Sequence, residues 1–222
     1  MIKDDSSAKT RRYACGEIGK MFTVEHLHYG QFLLNAKMTD NLSILPYNSQ
    51  SPIDQFEIRT KSYLLERTEI FGVVGAAIII HNNQVLLIQR ASDDDHPNLW
   101  EVPGGEAHGE ETIVHCAVRE LREEAGLDAP EVIDMIGEFE WVECESARRE
   151  SEERVWKIFM FLMKVGDDTT KLEIKLDPKE HRAYLWATEA QVRESLCGTT
   201  KLEWMSINQR QAILSAFERA NS

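Results

Sequence analysis

Residues 105–127 read GEAHGEETIVHCAVRELREEAGL and follow another glycine, Gly104. After the glycine pair, apolar residues recur every three or four positions, as on one face of an amphipathic helix; they are Val114, Ala117, Val118, Leu121 and Ala125. Gly126 follows them in the position where helices commonly end. The pattern predicts a helix from about residue 110 to residue 125, entered through glycines that can bring the backbone close to a ligand.

Three glutamates lie on one flank of this predicted helix. Glu120 and Glu124 are four residues apart and lie almost above one another, with Glu123 beside them. Like charges at this spacing repel each other and destabilise the helix. A hard divalent cation would offset the repulsion, because Mg²⁺ takes oxygen ligands and commonly bridges carboxylates to substrate phosphates. A solvated acidic surface explains the composition equally well, so the helix alone leaves both interpretations open.

The spacing of the segment resembles the Nudix box of the Nudix hydrolase superfamily. That box consists of a glycine, five residues, a glutamate, seven residues, and the run R-E-U-x-E-E-x-G-U, where U is aliphatic. All nine constrained positions match here: Gly105, Glu111, Arg119, Glu120, Leu121, Glu123, Glu124, Gly126 and Leu127. A complete match with the correct gaps is a far more specific signal than a short glycine motif.

The resemblance implies an activity and a set of metal ligands. Enzymes of this superfamily typically hydrolyse a diphosphate linkage between a nucleoside diphosphate and another group, using Mg²⁺ or Mn²⁺. By this resemblance, Glu120, Glu123 and Glu124 are expected to bind the metal, with the Gly104 carbonyl as a further ligand. Glu123 or Glu124 is also expected to help activate the attacking water.

Other residues are expected to support the site or to contact substrate. The resemblance implies that Gly105, Glu111 and Arg119 support the loop and helix of the box. Arg90 ends a predicted strand near the cleft and is a candidate phosphate contact, with a surface role as the alternative. Trp100 precedes the glycines and is a candidate for stacking on a nucleobase, although a core position is commoner for such a residue. Some members of the superfamily carry a further glutamate base beyond the box, for which the glutamates of residues 143–153 are candidates.

The hydrophobic pattern outside the box predicts an α/β fold. The predicted strands are 73–80, 85–89, 99–103, 132–143, 154–165, 172–176 and 182–186, and the predicted C-terminal helices are 189–196 and 207–219. Helices on both faces of a mixed β-sheet form an α/β/α sandwich. The resemblance implies this same Nudix-type architecture.

Three regions are expected along the chain. Residues 1–70 form an N-terminal extension that is partly disordered or helical and has no assigned role; within it, 39–55 resemble a loop and 56–70 a strand or short helix. Residues 71–196 form the Nudix domain. Residues 197–222 contain a C-terminal helix that packs on this domain.

Composition restricts the classes of partner. The chain has 222 residues, 42% of them hydrophobic, as expected for a soluble globular protein. Its net charge of −13 repels polyanions, so we expect a small diphosphate substrate and no nucleic-acid polymer.

Four cysteines without a CxxC pair indicate free thiols in a reducing compartment. With no signal-like or membrane-spanning apolar run, the expected location is cytoplasmic. Nudix domains are often homodimers, although no apolar stripe here demands one.

Three functions are compatible with the complete box. The first is a metal-dependent pyrophosphohydrolase of a small nucleoside-diphosphate-type substrate. The second is an enzyme of the same fold that acts on a non-nucleotide diphosphate, such as a prenyl diphosphate, or an isomerase. The third is a non-catalytic ligand-binding module, which is disfavoured because such descendants usually lose box acids and all are present here. The sequence leaves the substrate and leaving group open.

Overall fold

The computed structural model describes residues 46–49, 52–143, 153–167, 169 and 171–222. The glutamates predicted as bases at 145, 150 and 152, and the expectation for residues 1–45, lie outside the described residues.

The described strands form a mixed eight-stranded sheet and a short two-stranded ribbon. The sheet contains β1 (Asn48–Ser49), β2 (Gly72–His81), β3 (Gln84–Arg90), β4 (Trp100–Glu101), β5 (Gly104–Glu106), β6 (Glu131–Glu143), β7 (Arg154–Lys164) and β8 (His181–Thr188), and the ribbon contains β9 (Leu196–Cys197) and β10 (Thr200–Lys201). The helices are α1 (Thr60–Leu65), α2 (Ile113–Ala125), α3 (Glu189–Glu194) and α4 (Ile207–Ala220), and a 3₁₀ turn spans Ile53–Phe56.

Strand β2 lies at the centre of the sheet. It runs parallel to β7 and antiparallel to β3 and β5. Strand β6 is antiparallel to β7, and β8 is antiparallel to β3. Parallel and antiparallel pairs in one sheet confirm the predicted mixed topology.

Alternate residues of β7 face two separate cores. Phe159, Phe161 and Met163 pack with α2, whereas Ile158 and Met160 pack with α4 on the opposite face. The alternation follows from the two-residue period of a strand. A sheet buried between helices on both faces confirms the predicted α/β/α sandwich.

Residues 46–49 and 52–70, which the sequence placed in the unassigned extension, contact the core on the α2 face. Ile53 is fully buried there, Tyr63 packs edge-on against Phe159, and the Phe56 ring packs against Phe159 at a tilt of 57°. Strand β1 adds to the edge of the sheet by pairing in parallel with β6. This segment also holds the loop before α2, because the Thr60 amide donates to the Glu111 carbonyl at 2.9 Å.

The predicted strand at 172–176 is wrong. Leu172 and Ile174 pack against the α2-face core, which explains the alternation of the sequence. However, the Lys175 amide donates to the Ala125 carbonyl at the end of α2 (2.9 Å), so the segment crosses the helix terminus and joins no sheet.

The largest of the remaining differences from the prediction concern the segment 99–103 and the start of α2. The segment 99–103 does not form one strand, because β4 pairs with β3 whereas the following β5 pairs with β2. Helix α2 begins at Ile113 and not at residue 110, because the Thr112 side chain caps it by accepting a hydrogen bond from the His115 amide at 3.1 Å. Within the described residues, no helix is long and apolar enough to cross a bilayer.

Candidate active site

The glycine pair lets strand β5 lie directly between β2 and helix α2. A Cβ atom on Gly104 would lie 2.6 Å from the Cβ of Ala76, and one on Gly105 would lie 2.5 Å from Oε1 of Glu120. Both distances are too short for real contacts of a Cβ atom: at Gly104 the obstacle includes the backbone of β2, so only glycine fits, whereas at Gly105 the Glu120 carboxylate would have to move. The sequence predicted that these glycines bring the backbone close to a ligand; in the structure they bring it close to the acids of the box.

Two of the three predicted metal-binding acids are buried. Glu120 and Glu124 are 8% and 6% exposed, whereas the Glu123 side chain is 57% exposed. The Gly104 amide donates a 2.7 Å hydrogen bond to Oε2 of Glu124, which fixes that carboxylate beside the glycine loop. A solvated acidic flank is therefore the wrong interpretation for Glu120 and Glu124.

Burial strongly affects the protonation of these two carboxyl groups. It raises the pKa of Glu120 to about 7; the charge of Arg119 opposes this change and that of Glu123 adds to it. Burial also raises the pKa of Glu124 well above its ordinary value, and the charges of Glu101 and Glu120 add to the effect. Buried carboxyl groups whose charge is poorly balanced are a common feature of cation sites.

Arg119 connects the acids of the box to the loop before the helix. Its guanidinium donates to both carboxylate oxygens of Glu111, at 2.9 and 3.0 Å, and to Glu120 and Glu123 at 2.7 Å each. It also donates to the Glu106 carbonyl at 3.1 Å. These contacts are of the kind expected for the predicted supporting pair Glu111 and Arg119.

Glu111 is held as a buried anion. Burial alone would raise the pKa of this group, but hydrogen bonds from His115, Arg119 and the His108 amide lower it to about 2. The carboxylate thus keeps its charge inside the protein and ties residues 108–111 to helix α2.

We expect Gly105→Ala to weaken Mg²⁺ binding by about tenfold or more, because the new methyl group would displace the Glu120 carboxylate. Titration calorimetry with Mg²⁺ would measure this loss. Gly109→Ala is the matched control, since a Cβ there meets only Lys61 at an ordinary 3.7 Å. Equal Mg²⁺ affinity in the two variants would contradict the placement of Glu120.

We also expect the stability of the metal-free protein to fall as the pH rises from about 4.5 to about 7. In this window the folded protein retains the Glu120 proton while the unfolded chain releases it, so the stability is fully present below the window and lost above it. The loss is about 3 kcal/mol, because the pKa of Glu120 rises from 4.5 to about 7 on folding. Urea unfolding with a chelator would measure it, and Glu120→Gln should flatten the slope. An unchanged slope in that variant would refute the assigned pKa.

The two predicted substrate contacts are already engaged within the protein. Arg90 donates to Asp94 at 2.8 and 2.9 Å and to Glu101 at 2.8 Å, so two carboxylates hold its guanidinium. Trp100 is 3% exposed and packs in the core on the α4 face. Its burial argues against the stacking role and agrees with the core alternative.

Sequence reasoning missed a second group of polar residues beside Glu124. His181 begins strand β8 and is 2% exposed, with Nε2 lying 3.3 Å from Oε1 of Glu101 and Nδ1 lying 3.8 Å from Oε1 of Glu124. Glu180 precedes His181, and one of its carboxylate oxygens lies within 4.8 Å of an oxygen of Glu124 and a ring nitrogen of His181. The sheet brings these residues to the box helix through the pairing of β3 with both β4 and β8. No local spacing in the sequence could have revealed that contact.

Comparison with known proteins identifies the family. The family model of the NUDIX domain matches residues 72–209. The CTP pyrophosphohydrolase of Escherichia coli (strain K12) is 34% identical over 115 residues, which are 52% of this chain and 74% of that protein. The m7GpppN-mRNA hydrolase NUDT17 of Danio rerio is 29% identical over 169 residues, covering 72% of this chain but only 56% of the relative.

A similar solved structure is that of a MutT protein from Methanosarcina mazei Go1, with 21% identity and a TM-score of 0.49, covering 69% of this chain and 96% of that one. The NUDIX domain model itself spans well over half of the 222 residues. As the spacing of its box predicts, this chain belongs to the Nudix hydrolase superfamily.

Proposed function

We propose that this protein is a divalent-cation-dependent hydrolase that cleaves a diphosphate linkage in a small nucleotide-type substrate. The observation that carries the proposal is the pair of buried carboxyl groups, Glu120 and Glu124, beside the Gly104–Gly105 backbone. Diphosphate cleavage concentrates negative charge on phosphate oxygens, so a site for it needs cations held by fixed anionic ligands.

The donor set fits Mg²⁺ or Mn²⁺. Glu120, Glu123 and Glu124 would hold the ion, together with the Gly104 carbonyl, and all four are the hard oxygen ligands that such cations prefer. The raised pKa values of Glu120 and Glu124 support this fit, because a bound cation would stabilise both carboxylates. When bound, the ion supplies charge neutralisation at the phosphates and lowers the pKa of its water.

The protein's own groups would orient the site and transfer the proton. Arg119 fixes Glu120 and Glu123 through hydrogen bonds of 2.7 Å, so neither acid has to be ordered when substrate binds. Because Glu123 is the exposed acid, it is the better placed of the two predicted bases to accept a proton from water at the mouth of the site. Glu124, held by the Gly104 amide, acts mainly as a ligand.

A free nucleotide is the substrate class that we favour. The relative covered over 74% of its length is named a CTP pyrophosphohydrolase, so a nucleoside triphosphate is the first substrate to test. The NUDT17 relative is named an m7GpppN-mRNA hydrolase, but the chain spans only 56% of it. The net charge of −13 also disfavours a long RNA, because phosphate contacts need a positive surface.

A substrate panel with Mg²⁺ tests the proposal. It should contain the four ribonucleoside triphosphates, a capped dinucleotide, a capped RNA and a prenyl diphosphate, with phosphate and diphosphate release as the signal. We expect release from at least one free nucleotide. Turnover of the prenyl diphosphate alone would replace the proposal with the non-nucleotide alternative, and rearrangement of it without phosphate release would identify an isomerase.

We further propose a cytoplasmic location. Among the described residues, Cys116 and Cys197 are free thiols, as expected in a reducing compartment.

A homodimer also stays a prediction. Light scattering during size-exclusion chromatography would decide it, because a mass near the 25.5 kDa of one chain would refute the dimer.

A further inference from the structure

Within the part of the chain that the structure describes, one ring nitrogen of His181 has no hydrogen-bond partner, although the residue is 2% exposed. Burying an imidazole nitrogen without a hydrogen bond is unfavourable. The unpartnered atom is Nδ1, which points toward Oε1 of Glu124 at 3.8 Å. A bound group between these two atoms would remove the penalty.

The surrounding atoms have the spacing of cation ligands. One oxygen of Glu124, one oxygen of Glu180 and one ring nitrogen of His181 all lie within 4.8 Å of one another. Two donors that are each about 2.1 Å from one ion can lie no more than about 4.2 Å apart. The 3.8 Å between His181 and Glu124 meets this limit as it stands, and the exposed Glu180 needs only a small side-chain movement.

The second ring nitrogen of His181, Nε2, is held by a carboxylate, as in known metal sites. Nε2 lies 3.3 Å from Oε1 of Glu101, which also accepts a 2.8 Å hydrogen bond from Arg90. If the ring proton is on Nε2, this nitrogen donates a hydrogen bond to Glu101. Nδ1 then carries the lone pair that can bind a metal ion. A histidine that binds a metal nearly always donates its second nitrogen to a carboxylate or carbonyl in this way.

Arg90 and Asp94 complete this support. The Arg90 guanidinium is fixed by Asp94 through hydrogen bonds of 2.8 and 2.9 Å, so Glu101 faces a rigid partner. The support therefore extends from Asp94 through Arg90 and Glu101 to the ring of His181. This network gives Arg90 a function that requires no contact with phosphate.

We propose that Glu124, Glu180 and His181 form a mixed nitrogen–oxygen site for a divalent transition ion, which shares Glu124 with the acids of the Nudix box. The inference rests on the proposed function, because Glu124 serves both ligand sets. An imidazole ligand suits transition ions better than Mg²⁺, which prefers oxygen. The site thus makes the protein discriminate between Mn²⁺ and Mg²⁺.

Pulsed electron paramagnetic resonance of the Mn²⁺-loaded protein tests the site directly. We expect a ¹⁴N coupling from a bound imidazole in the wild type and its loss in His181→Gln. His115→Gln is the matched control, because His115 is also buried and one of its ring nitrogens has no hydrogen-bond partner among the described residues, but it lies beside Glu111. That variant should keep the coupling.

Calorimetry gives a second readout. His181→Gln should weaken Mn²⁺ binding by about tenfold or more while leaving Mg²⁺ binding little changed. Because Glu180 is exposed, Glu180→Gln should fold normally and should also weaken Mn²⁺ binding; it decides the question if His181→Gln fails to fold. Unchanged Mn²⁺ affinity in Glu180→Gln would overturn the site.

Two different results would distinguish a wrong mixed site from a wrong proposed function. A wild type that hydrolyses nucleotides with Mg²⁺ but shows no ¹⁴N coupling with Mn²⁺ would refute the mixed site alone. A wild type that binds neither ion and hydrolyses no nucleotide would refute both.

Discussion

Glu124→Gln is expected to lower turnover by more than about a hundredfold while leaving the fold intact. The substitution removes a carboxylate that we propose as a metal ligand. The glutamine oxygen can still accept the 2.7 Å hydrogen bond from the Gly104 amide, so the glycine loop should keep its position. Steady-state kinetics with saturating Mg²⁺ and circular dichroism would measure the two effects.

The same variant should be more stable than the wild type when no metal is present. Glu124 is 6% exposed and faces Glu101 and Glu120, so the folded wild type must either bury its charge or take up a proton, and glutamine avoids both costs. Glu194→Gln is the control, because Glu194 is exposed on α3, and it should change neither turnover nor stability. Wild-type turnover in Glu124→Gln would eliminate the metal assignment.

Arg119→Met is expected to destabilise the protein by about 3 kcal/mol or more. The Glu111 side chain has no exposed surface, and the substitution would leave its buried carboxylate without its main cationic partner. Removing one member of a buried pair is far more costly than replacing both. Urea unfolding at neutral pH would measure the loss, and the double variant Arg119→Met/Glu111→Met should recover much of it.

Arg193→Met provides the matched control for this prediction. Arg193 makes a 2.6 Å ion pair with Glu189 at the same four-residue spacing as Arg119 and Glu123, but on the exposed surface of α3. Its loss should cost less than about 1 kcal/mol, because solvent screens such pairs. Equal costs for Arg119→Met and Arg193→Met would show that Glu111 is not held in the way we describe.

Local patterns were sufficient to predict most of the fold. The apolar runs of β2 and β3 and the stripe of α2 are properties of short segments, and the structure has each of them close to the predicted bounds. The prediction of a strand at 172–176 was wrong because it also rested on a pattern within one short segment. Alternation indicates which side chains face the core, and Leu172 and Ile174 pack half-buried against it without a strand partner among the described residues.

The candidate site was only partly predictable, because its second half comes from distant segments. The spacing of Glu120 and Glu124 identified the box, but their burial depends on the glycine strand β5 and the start of β8, which the helix pattern does not contain. His181 and Glu101 are 80 residues apart and meet only because β4 and β8 both pair with β3. Periodicity carries no information about such contacts.

The products formed in the presence of Mg²⁺ from the best nucleoside triphosphate of the substrate panel test the central claim most directly. Following the reaction by ³¹P nuclear magnetic resonance, we predict that the wild type cleaves this nucleotide into a nucleoside monophosphate and inorganic diphosphate. A chelator should stop the reaction, and Glu124→Gln should be slower by more than about a hundredfold. Cleavage that continues in the chelator, or at the wild-type rate in Glu124→Gln, would contradict a metal-dependent diphosphate hydrolase built on the box acids.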